Sequence, residues 1–339
     1  MHMTYRATLV SKDPLNYFLQ TSDEGPRLRV SDVVVRVNLD PGQIFSRFIR
    51  MATNSQWSHS SLLYLINDPP NGFDNTFLVE AMTTGVRVAS WRNEVVPYNT
   101  FTVGIKRPRL DWYVESPGEV NRHDPTDPED VVGIAYLRHI RGMAIDQINN
   151  LYDHNVVWEL TSLYIERIAR EHLSAIPLIA EAAAGAANMF KHWEEDSSKA
   201  DPMFRFICSG LVQYSFFEAL RVRIKNDLAI PAHRDAALSN LSNLSRIIFC
   251  PDQQQVIPNY IQQVQSGKLQ LSDPVPGDVI NLLQTSTPAD FNDSPNLEWR
   301  YIIKEGVVWE IAPAPDTYAP ASQDESSVLA LMHPAHTAK

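Results

Sequence analysis

The chain has 339 residues, of which 44% are hydrophobic and 20% charged, and its formal net charge is −11. This composition excludes a wholly disordered or fibrous protein, and a chain of this length can bury a core without a disulfide or metal staple. The acidic balance argues against a nucleic-acid partner, which needs a basic surface, and it weakens attraction to anionic membranes.

The cysteine content and the absence of long apolar runs bear on location. Cys208 and Cys250 are the two cysteines of the chain. Two cysteines make no disulfide framework and suit a reducing compartment. The N-terminal stretch carries charges throughout, unlike a secretory signal, and no run reaches the roughly 18 apolar residues of a membrane span. We therefore expect a cytoplasmic protein without a transmembrane segment.

The first third of the chain reads as a series of short strands. Residues 1–30 show no regular pattern, so they are predicted to be an irregular N-terminal lead-in. Short β-branched or apolar runs predict strands at 33–37, 59–66, 77–82, 85 onward and 101–106. Apolar residues at helical spacing predict a helix over 44–51, and residues 68–72 are typical of a turn.

The middle of the chain predicts helices and the end predicts strands. Residues 107–128 are rich in Pro and Asp, which indicates a loop or linker. The later patterns predict helices over 129–195, 204–225 and 233–266, a turn with a short strand over 272–283, and strands at 299–303 and 307–311. The tail, residues 312–339, is rich in Pro, Ala and Ser and is predicted to be flexible. Because strands and helices are segregated along the chain, the predicted fold class is α+β.

Cys208 is the first candidate for chemistry. In FRFICSGLVQYSFFEAL it lies at the start of a predicted helix, on the face shared by Leu211 and Val212. The positive end of a helix dipole, with a cationic neighbour, lowers a thiol pKa and favours the nucleophilic thiolate. Taken alone, this position fits a buried structural cysteine better, since free cysteines are among the most buried residues.

His59 and Glu80 lie on neighbouring predicted strands. His59 opens the strand HSSLLYLI, which suits either a rigidly held general base or a hydrogen-bonded structural histidine. Glu80 interrupts the apolar strand FLVEAM, where a buried carboxylate costs several kcal/mol unless it pairs with a cation or faces a pocket. An imidazole on the next strand would be a suitable partner, as in a catalytic triad; on a solvated strand face, Glu80 would be a surface residue.

The order of these residues resembles the circularly permuted, NlpC-type papain-like cysteine hydrolases, the YiiX-like group, in which the His precedes the Cys helix, the reverse of papain. The resembling stretches cover under a third of the chain: SRFIRMATNSQWSHSSLLYLI (46–66), LVEAMTTGVRV (78–88), NLYDHN (150–155), FICSGLVQYSF (207–217) and, more weakly, SDPVPGDVI (272–280). The resemblance implies a permuted papain-like catalytic domain over residues 31–311, with an antiparallel sheet packed on the Cys-bearing helix.

The resemblance also implies the roles of individual residues. Cys208 is expected to be the nucleophile, His59 the base and Glu80 the acid that orients the imidazole. Five further residues are assigned to a substrate pocket: Trp57, Ser58, Tyr152, Asp153 and Ser209. Of these, Ser58 and Ser209 match positions beside the family's His and Cys, while Tyr152 and Asp153 match a Tyr-Asp element near the cleft.

One segment departs from that family's pattern. The block 156–203 is longer than expected between the Tyr-Asp element and the Cys, which indicates a helical insertion that changes access for substrate. Core packing is the default interpretation of its apolar helices, and contact with a protein partner or a membrane through 156–195 is the alternative. The acidic loop around His123 matches no zinc or EF-hand spacing, and no Walker loop or dinucleotide fingerprint appears, so neither a metal nor an organic cofactor is expected.

The expected function is that of a cysteine hydrolase of the amidase or peptidase type, acting through an acyl-enzyme. The resemblance favours amide bonds in peptides or amino-acid conjugates, so the expected partner is a small-molecule, peptide or lipid-like acyl substrate. Two alternatives remain: a lipid esterase or acyltransferase on the same triad, and a non-catalytic binding module with the same fold.

Overall fold

The computed structural model describes residues 4–19, 21–22, 25–38, 46, 49–50, 53, 55–65, 76–82, 85–95, 101–118, 133–148, 151–152, 205–250 and 255–333. Within these ranges, α-helices and strands combine in a mixed α+β fold with a large antiparallel sheet. The predicted α+β class is therefore confirmed.

An eight-stranded sheet forms the centre of the fold. Its strands are β1 (Thr4–Ser11), β2 (Val33–Asn38), β3 (His59–Leu65), β4 (Phe77–Met82), β5 (Gly85–Ser90), β6 (Phe101–Pro108), β7 (Leu297–Lys304) and β8 (Val307–Ala314). They lie in the order β1-β8-β7-β6-β2-β3-β4-β5, and each neighbouring pair is antiparallel. The four strands β2 to β5 are the ones that carry the candidate site.

The α-helices of the described residues are α1 (Pro14–Leu19), α2 (Trp91–Val95), α3 (Ile134–Ile145), α4 (Cys208–Leu228), α5 (Arg234–Ser242), α6 (Val256–Gln265), α7 (Gly277–Thr285), α8 (Pro288–Asp293) and α9 (Gln323–Leu329). The 21-residue helix α4 is the longest of these and packs against β3, β4, α3 and α7. Its buried residues include Leu211, Phe216 and Leu220, which belong to the larger hydrophobic core.

The centre of the sheet is buried on both faces, as β2 shows. Its Val33, Val35 and Val37 join the core on the side of α4, whereas Val34 joins a second core with Phe18. A strand covered on both faces reads as a near-continuous apolar run, which is why VVVRV was readily predicted as a strand. The strands predicted at 33–37, 59–66, 77–82, 85 onward, 101–106, 299–303 and 307–311 are confirmed, with ends shifted by a few residues. The helices predicted over 204–225 and 233–266 are also confirmed, and the second region holds two α-helices.

The prediction of an irregular lead-in was wrong. Residues 4–11 form β1, which pairs with β8 and so belongs to the main sheet. Ala7 is the buried residue of this strand, while Arg6 and Thr8 are exposed. An edge strand with one buried side chain carries little hydrophobic alternation, so its sequence pattern is weak.

The short strand predicted within 272–283 was also wrong, because residues 277–285 form helix α7. Val279, Leu282 and Leu283 are its buried residues, at the i, i+3, i+4 spacing of a helix. A short apolar run of this kind is ambiguous between strand and helix by periodicity alone.

The tail is ordered, which contradicts the predicted flexibility of 312–339 as far as residue 333. Strand β8 continues to Ala314, and Ser322 caps α9 by accepting a hydrogen bond from the Glu325 backbone N–H at 3.1 Å. The buried Glu325 carboxylate accepts hydrogen bonds from the Ala7 N–H at 3.0 Å and the Tyr318 hydroxyl at 2.6 Å. The tail is therefore fastened to β1, and the Ser-x-x-Glu spacing was the local signal for its helix.

Several predicted features fall outside the described residues. They are the turn at 68–72, the proposed insertion 156–203 and much of the helical block 129–195, in which residues 134–145 are confirmed as helix α3. Of the helix predicted over 44–51, residues 46, 49 and 50 are described and are helical. No helix in the described part of the chain is long and apolar enough to cross a membrane.

Helix α4 approaches α7 closely at Gly210. A Cβ added there would lie 2.8 Å from the backbone oxygen of Gln284. We expect Gly210→Ala to lower the free energy of unfolding by about 1–3 kcal/mol, because backbone atoms must shift to relieve the overlap. The measurement is urea unfolding followed by circular dichroism.

Gly142 provides the matched control. It is an exposed glycine inside α3, and a Cβ there would meet no atom within 4 Å. Gly142→Ala should raise the free energy of unfolding by about 0.5–1 kcal/mol, because alanine favours a helix interior. Equal effects of the two substitutions would contradict the close packing of α4 against α7.

Candidate active site

Cys208 is the first residue of α4, as predicted. Its preceding residue, Ile207, is extended at φ −80° and ψ 166° and supplies no side-chain cap. The thiol is buried, with 3% of the residue exposed, and it accepts a hydrogen bond from the backbone N–H of Ser60 at the start of β3. The uncapped N–H groups of the first helical turn add partial positive charge beside the sulfur.

His59 joins the thiol to Glu80. Its ring is hydrogen-bonded to Cys208, and its Nε2 lies 2.9 Å from Oε2 of Glu80. The histidine side chain remains 18% exposed, so solvent reaches the site from the imidazole side. The structure thus brings together Cys208, His59 and Glu80, the residues predicted to be nucleophile, base and orienting acid.

Two arginines that sequence reasoning missed also bind Glu80. Arg36 on β2 donates to Oε2, and Arg87 on β5 donates to Oε1 from Nε at 3.0 Å and from Nη2 at 2.7 Å. The strand pairing explains the arrangement, since Arg36 is opposite His59 and Arg87 is opposite Glu80, and directly opposed residues share a face. The signal was present in the sequence, because Arg36 interrupts VVVRV as Glu80 interrupts FLVEAM.

These contacts keep Glu80 ionised. Burial raises the pKa of its carboxyl group, but the hydrogen bond and charge of His59, followed by Arg36 and Arg87, hold that pKa well below its usual range. The carboxylate is therefore negative at neutral pH and serves as a fixed acceptor for the His59 ring.

The same balance governs the thiol and the imidazole. Burial raises the pKa of Cys208, but the charge and hydrogen bond of His59 lower it to about 7. Burial lowers the pKa of His59, and the Cys208 charge and the bonds to Cys208 and Glu80 outweigh burial, so that this pKa is raised overall. The two shifts favour a thiolate–imidazolium pair near neutrality, which is the reactive form of a cysteine nucleophile.

Trp57 was predicted to line a substrate pocket, and that assignment was wrong. Its side chain is fully buried and lies beside Trp299, with the ring centroids 5.6 Å apart. Its indole N–H donates to Asn292 Oδ1 at 3.0 Å and to the Leu331 carbonyl at 3.1 Å. A tryptophan with a satisfied N–H inside the core cannot face substrate, so its role is to hold the segment before His59.

The two serines beside the catalytic candidates are also buried. Ser209 donates from Oγ to the Ser286 carbonyl at 2.6 Å, which ties the start of α4 to the end of α7. Ser58 is hydrogen-bonded through Oγ to Ser46 Oγ at 2.6 Å. Both side chains bind neighbouring protein groups next to the candidate site. Their burial does not fit the predicted role in a substrate pocket.

The Tyr-Asp element is partly described. Tyr152 pairs in parallel with Phe206, two residues before Cys208, so its backbone lies near the start of α4. Asp153 lies outside the described residues. Cys250 is buried and hydrogen-bonded to Asp290. Within the described ranges, no group of three or more His, Cys, Asp or Glu side chains is arranged to hold a metal ion.

In comparisons with known proteins, no family model, curated protein or solved structure matches this chain. The interpretation of the site therefore rests on its geometry and charge.

The thiol pKa leads to a labelling prediction. Near neutral pH, iodoacetamide should alkylate Cys208 faster than Cys250, with a rate that rises through a midpoint near the Cys208 pKa of about 7. In His59→Ala the midpoint should move upward, to or above the ordinary thiol value of about 8.5, because the lowering charge is lost and the effect of burial remains. The measurement is mass spectrometry of each cysteine against pH. Equal, slow labelling or an unmoved midpoint would contradict the ion pair.

The two arginines should differ in their effect on stability. Arg36 is 4% exposed and Arg87 43% exposed, although both bind Glu80. Arg36→Gln should lower the free energy of unfolding by about 3–5 kcal/mol, because it breaks a buried ion pair. Arg87→Gln should cost about 1 kcal/mol or less, as expected for a solvent-exposed partner.

Urea unfolding of the two variants at pH 7 checks this difference. Because each substitution removes one arginine charge, the pair controls for net charge. If Arg87→Gln lowers the free energy of unfolding as much as Arg36→Gln, burial does not determine how strongly each arginine stabilises Glu80.

Proposed function

We propose that the protein is a thiol-dependent hydrolase of amide or ester bonds with a permuted papain-like core of the NlpC type. One observation carries the proposal: a cysteine at the uncapped start of a long helix is hydrogen-bonded to a histidine whose Nε2 is 2.9 Å from a buried carboxylate. A nucleophile, a base and a group that orients the base, all within hydrogen-bond reach, form the general signature of covalent catalysis.

In the proposed first step, the Cys208 thiolate attacks the carbonyl carbon of the substrate. The carbonyl π electrons move to oxygen, and the resulting oxyanion is held by backbone N–H groups of Cys208 and Ser209 at the positive end of α4. When the tetrahedral intermediate collapses, the bond to the leaving nitrogen or oxygen breaks. The His59 imidazolium gives its proton to that leaving group, and a thioester acyl-enzyme remains.

In the second step, neutral His59 removes a proton from water, and the hydroxide attacks the thioester carbonyl. The carbon–sulfur bond then breaks and restores the Cys208 thiolate and the His59 imidazolium. Glu80 stays ionised throughout, because its pKa lies well below its usual range, and it orients the imidazole and stabilises its charged form.

The substrate is proposed to be a small-molecule, peptide or lipid-like acyl compound. Amide bonds are the leading class, as the family resemblance implies, and transfer to an acceptor other than water uses the same acyl-enzyme. Two free thiols suit a reducing compartment, so we infer a cytoplasmic enzyme.

Activity-based probes with amide, ester and thioester electrophiles test the function. We expect wild-type protein to be labelled at Cys208 and to turn over at least one substrate class, and Cys208→Ala to lose both, with turnover reduced about 10³-fold or more. Amine or alcohol acceptors added to the assay distinguish transfer from hydrolysis.

Cys250→Ala is the matched control, since it removes the other buried thiol. It should keep both labelling and turnover. Turnover that survives in Cys208→Ala, or wild-type protein that reacts with none of the probes, would contradict a thiol hydrolase; the latter result would favour a binding module.

A further inference from the structure

A second site lies beside the sheet, away from Cys208. Residues from the segment before β2, from the end of β6 and from α3 enclose a cavity of about 580 Å³. This is within the usual range for small-molecule sites. Asp32, directly before β2, lies on the cavity wall, and Arg36 at the candidate active site is four residues further on, which corresponds to about 13 Å of extended chain. The two sites are therefore separate.

Arg29 presents a charge to this cavity that is only partly compensated. Among the described residues, its guanidinium makes no hydrogen bond or ion pair, and its Nε is buried without a partner. The nearby Asp32 carboxylate is already used by Arg107, which donates to it from Nε and Nη2 at 2.9 Å each. The Arg29 backbone N–H also donates a hydrogen bond to the Asp32 carboxylate, at 2.8 Å.

The surroundings of Arg29 favour an added negative charge. Burial lowers its pKa, and the positive charges of Arg107 and Arg300 lower it further, while Asp32 and Tyr301 only partly oppose them. Asp111, Arg109 and Glu298 also line the cavity, and the Glu298 carboxylate lies 3.8 Å from Arg300. A half-buried cation whose charge is only partly balanced is costly, so binding an anion would relieve this cost.

We propose that this cavity binds a small organic anion, whose carboxylate or phosphate oxygens bind the Arg29 guanidinium. The fork of N–H donors on an arginine matches both groups in bidentate geometry. Leu110, Tyr113 and Leu137 line the same cavity and provide an apolar wall for the body of the ligand. The expected ligand therefore combines one oxyanion group with a compact apolar part.

Calorimetric titration of the full chain with benzoate, phenyl phosphate and neutral benzyl alcohol tests the proposal. At least one anion should bind with a Kd at or below about 1 mM, and benzyl alcohol should not. The two anions distinguish a carboxylate ligand from a phosphate ligand. Arg29→Gln should weaken binding about ten- to hundredfold, the usual effect of losing a charge-assisted hydrogen bond.

Two controls make the result decisive. Arg234→Gln removes an exposed arginine that does not line the cavity and should leave binding unchanged. Arg29→Gln should unfold at the wild-type temperature or higher, because it removes a half-buried cation whose charge is only partly balanced. Absence of anion binding by wild-type protein, undiminished binding by Arg29→Gln, or unfolding of that variant at a clearly lower temperature would each overturn the proposal.

Discussion

The burial of the Glu80 carboxylate is the constraint on which the candidate site depends. A negative charge removed from water is costly, and here it is stabilised by cationic or hydrogen-bonding groups from three other strands. The donors are Arg36 on β2, His59 on β3 and Arg87 on β5, so the network requires the observed pairing of β2 through β5. The same contacts orient the imidazole toward the thiol, which links the register of the sheet to the chemistry of the site.

Local sequence patterns predicted much of this half of the fold. Period-two and near-continuous apolar runs located β2 to β6, and helical spacing located α4 with Cys208 at its start. The link between His59 and Glu80 was also predictable, because a carboxylate inside an apolar strand needs a partner and an imidazole stood on the next strand. The inference needed only local pattern and the cost of buried charge.

The rest depended on contacts between distant parts of the chain. Arg36 and Glu80 are 44 residues apart, and Trp57 is hydrogen-bonded to Asn292, 235 residues away. Local periodicity contains no information on such pairs. Trp57 was therefore assigned to a pocket, and the binding of Arg36 and Arg87 to Glu80 was missed. For the same reason β1 and the tail looked irregular, although Glu325 binds the backbone of Ala7 and holds the two ends of the chain together.

The central claim is that Cys208 and His59 form an ion pair, and titration of the His59 ring by NMR tests it most directly. In wild-type protein the His59 pKa should lie above its ordinary value of about 6.5. In Cys208→Ala it should fall, because the thiolate charge that raises it is gone while burial and Arg36 still lower it. An equal His59 pKa in the two proteins would contradict the account.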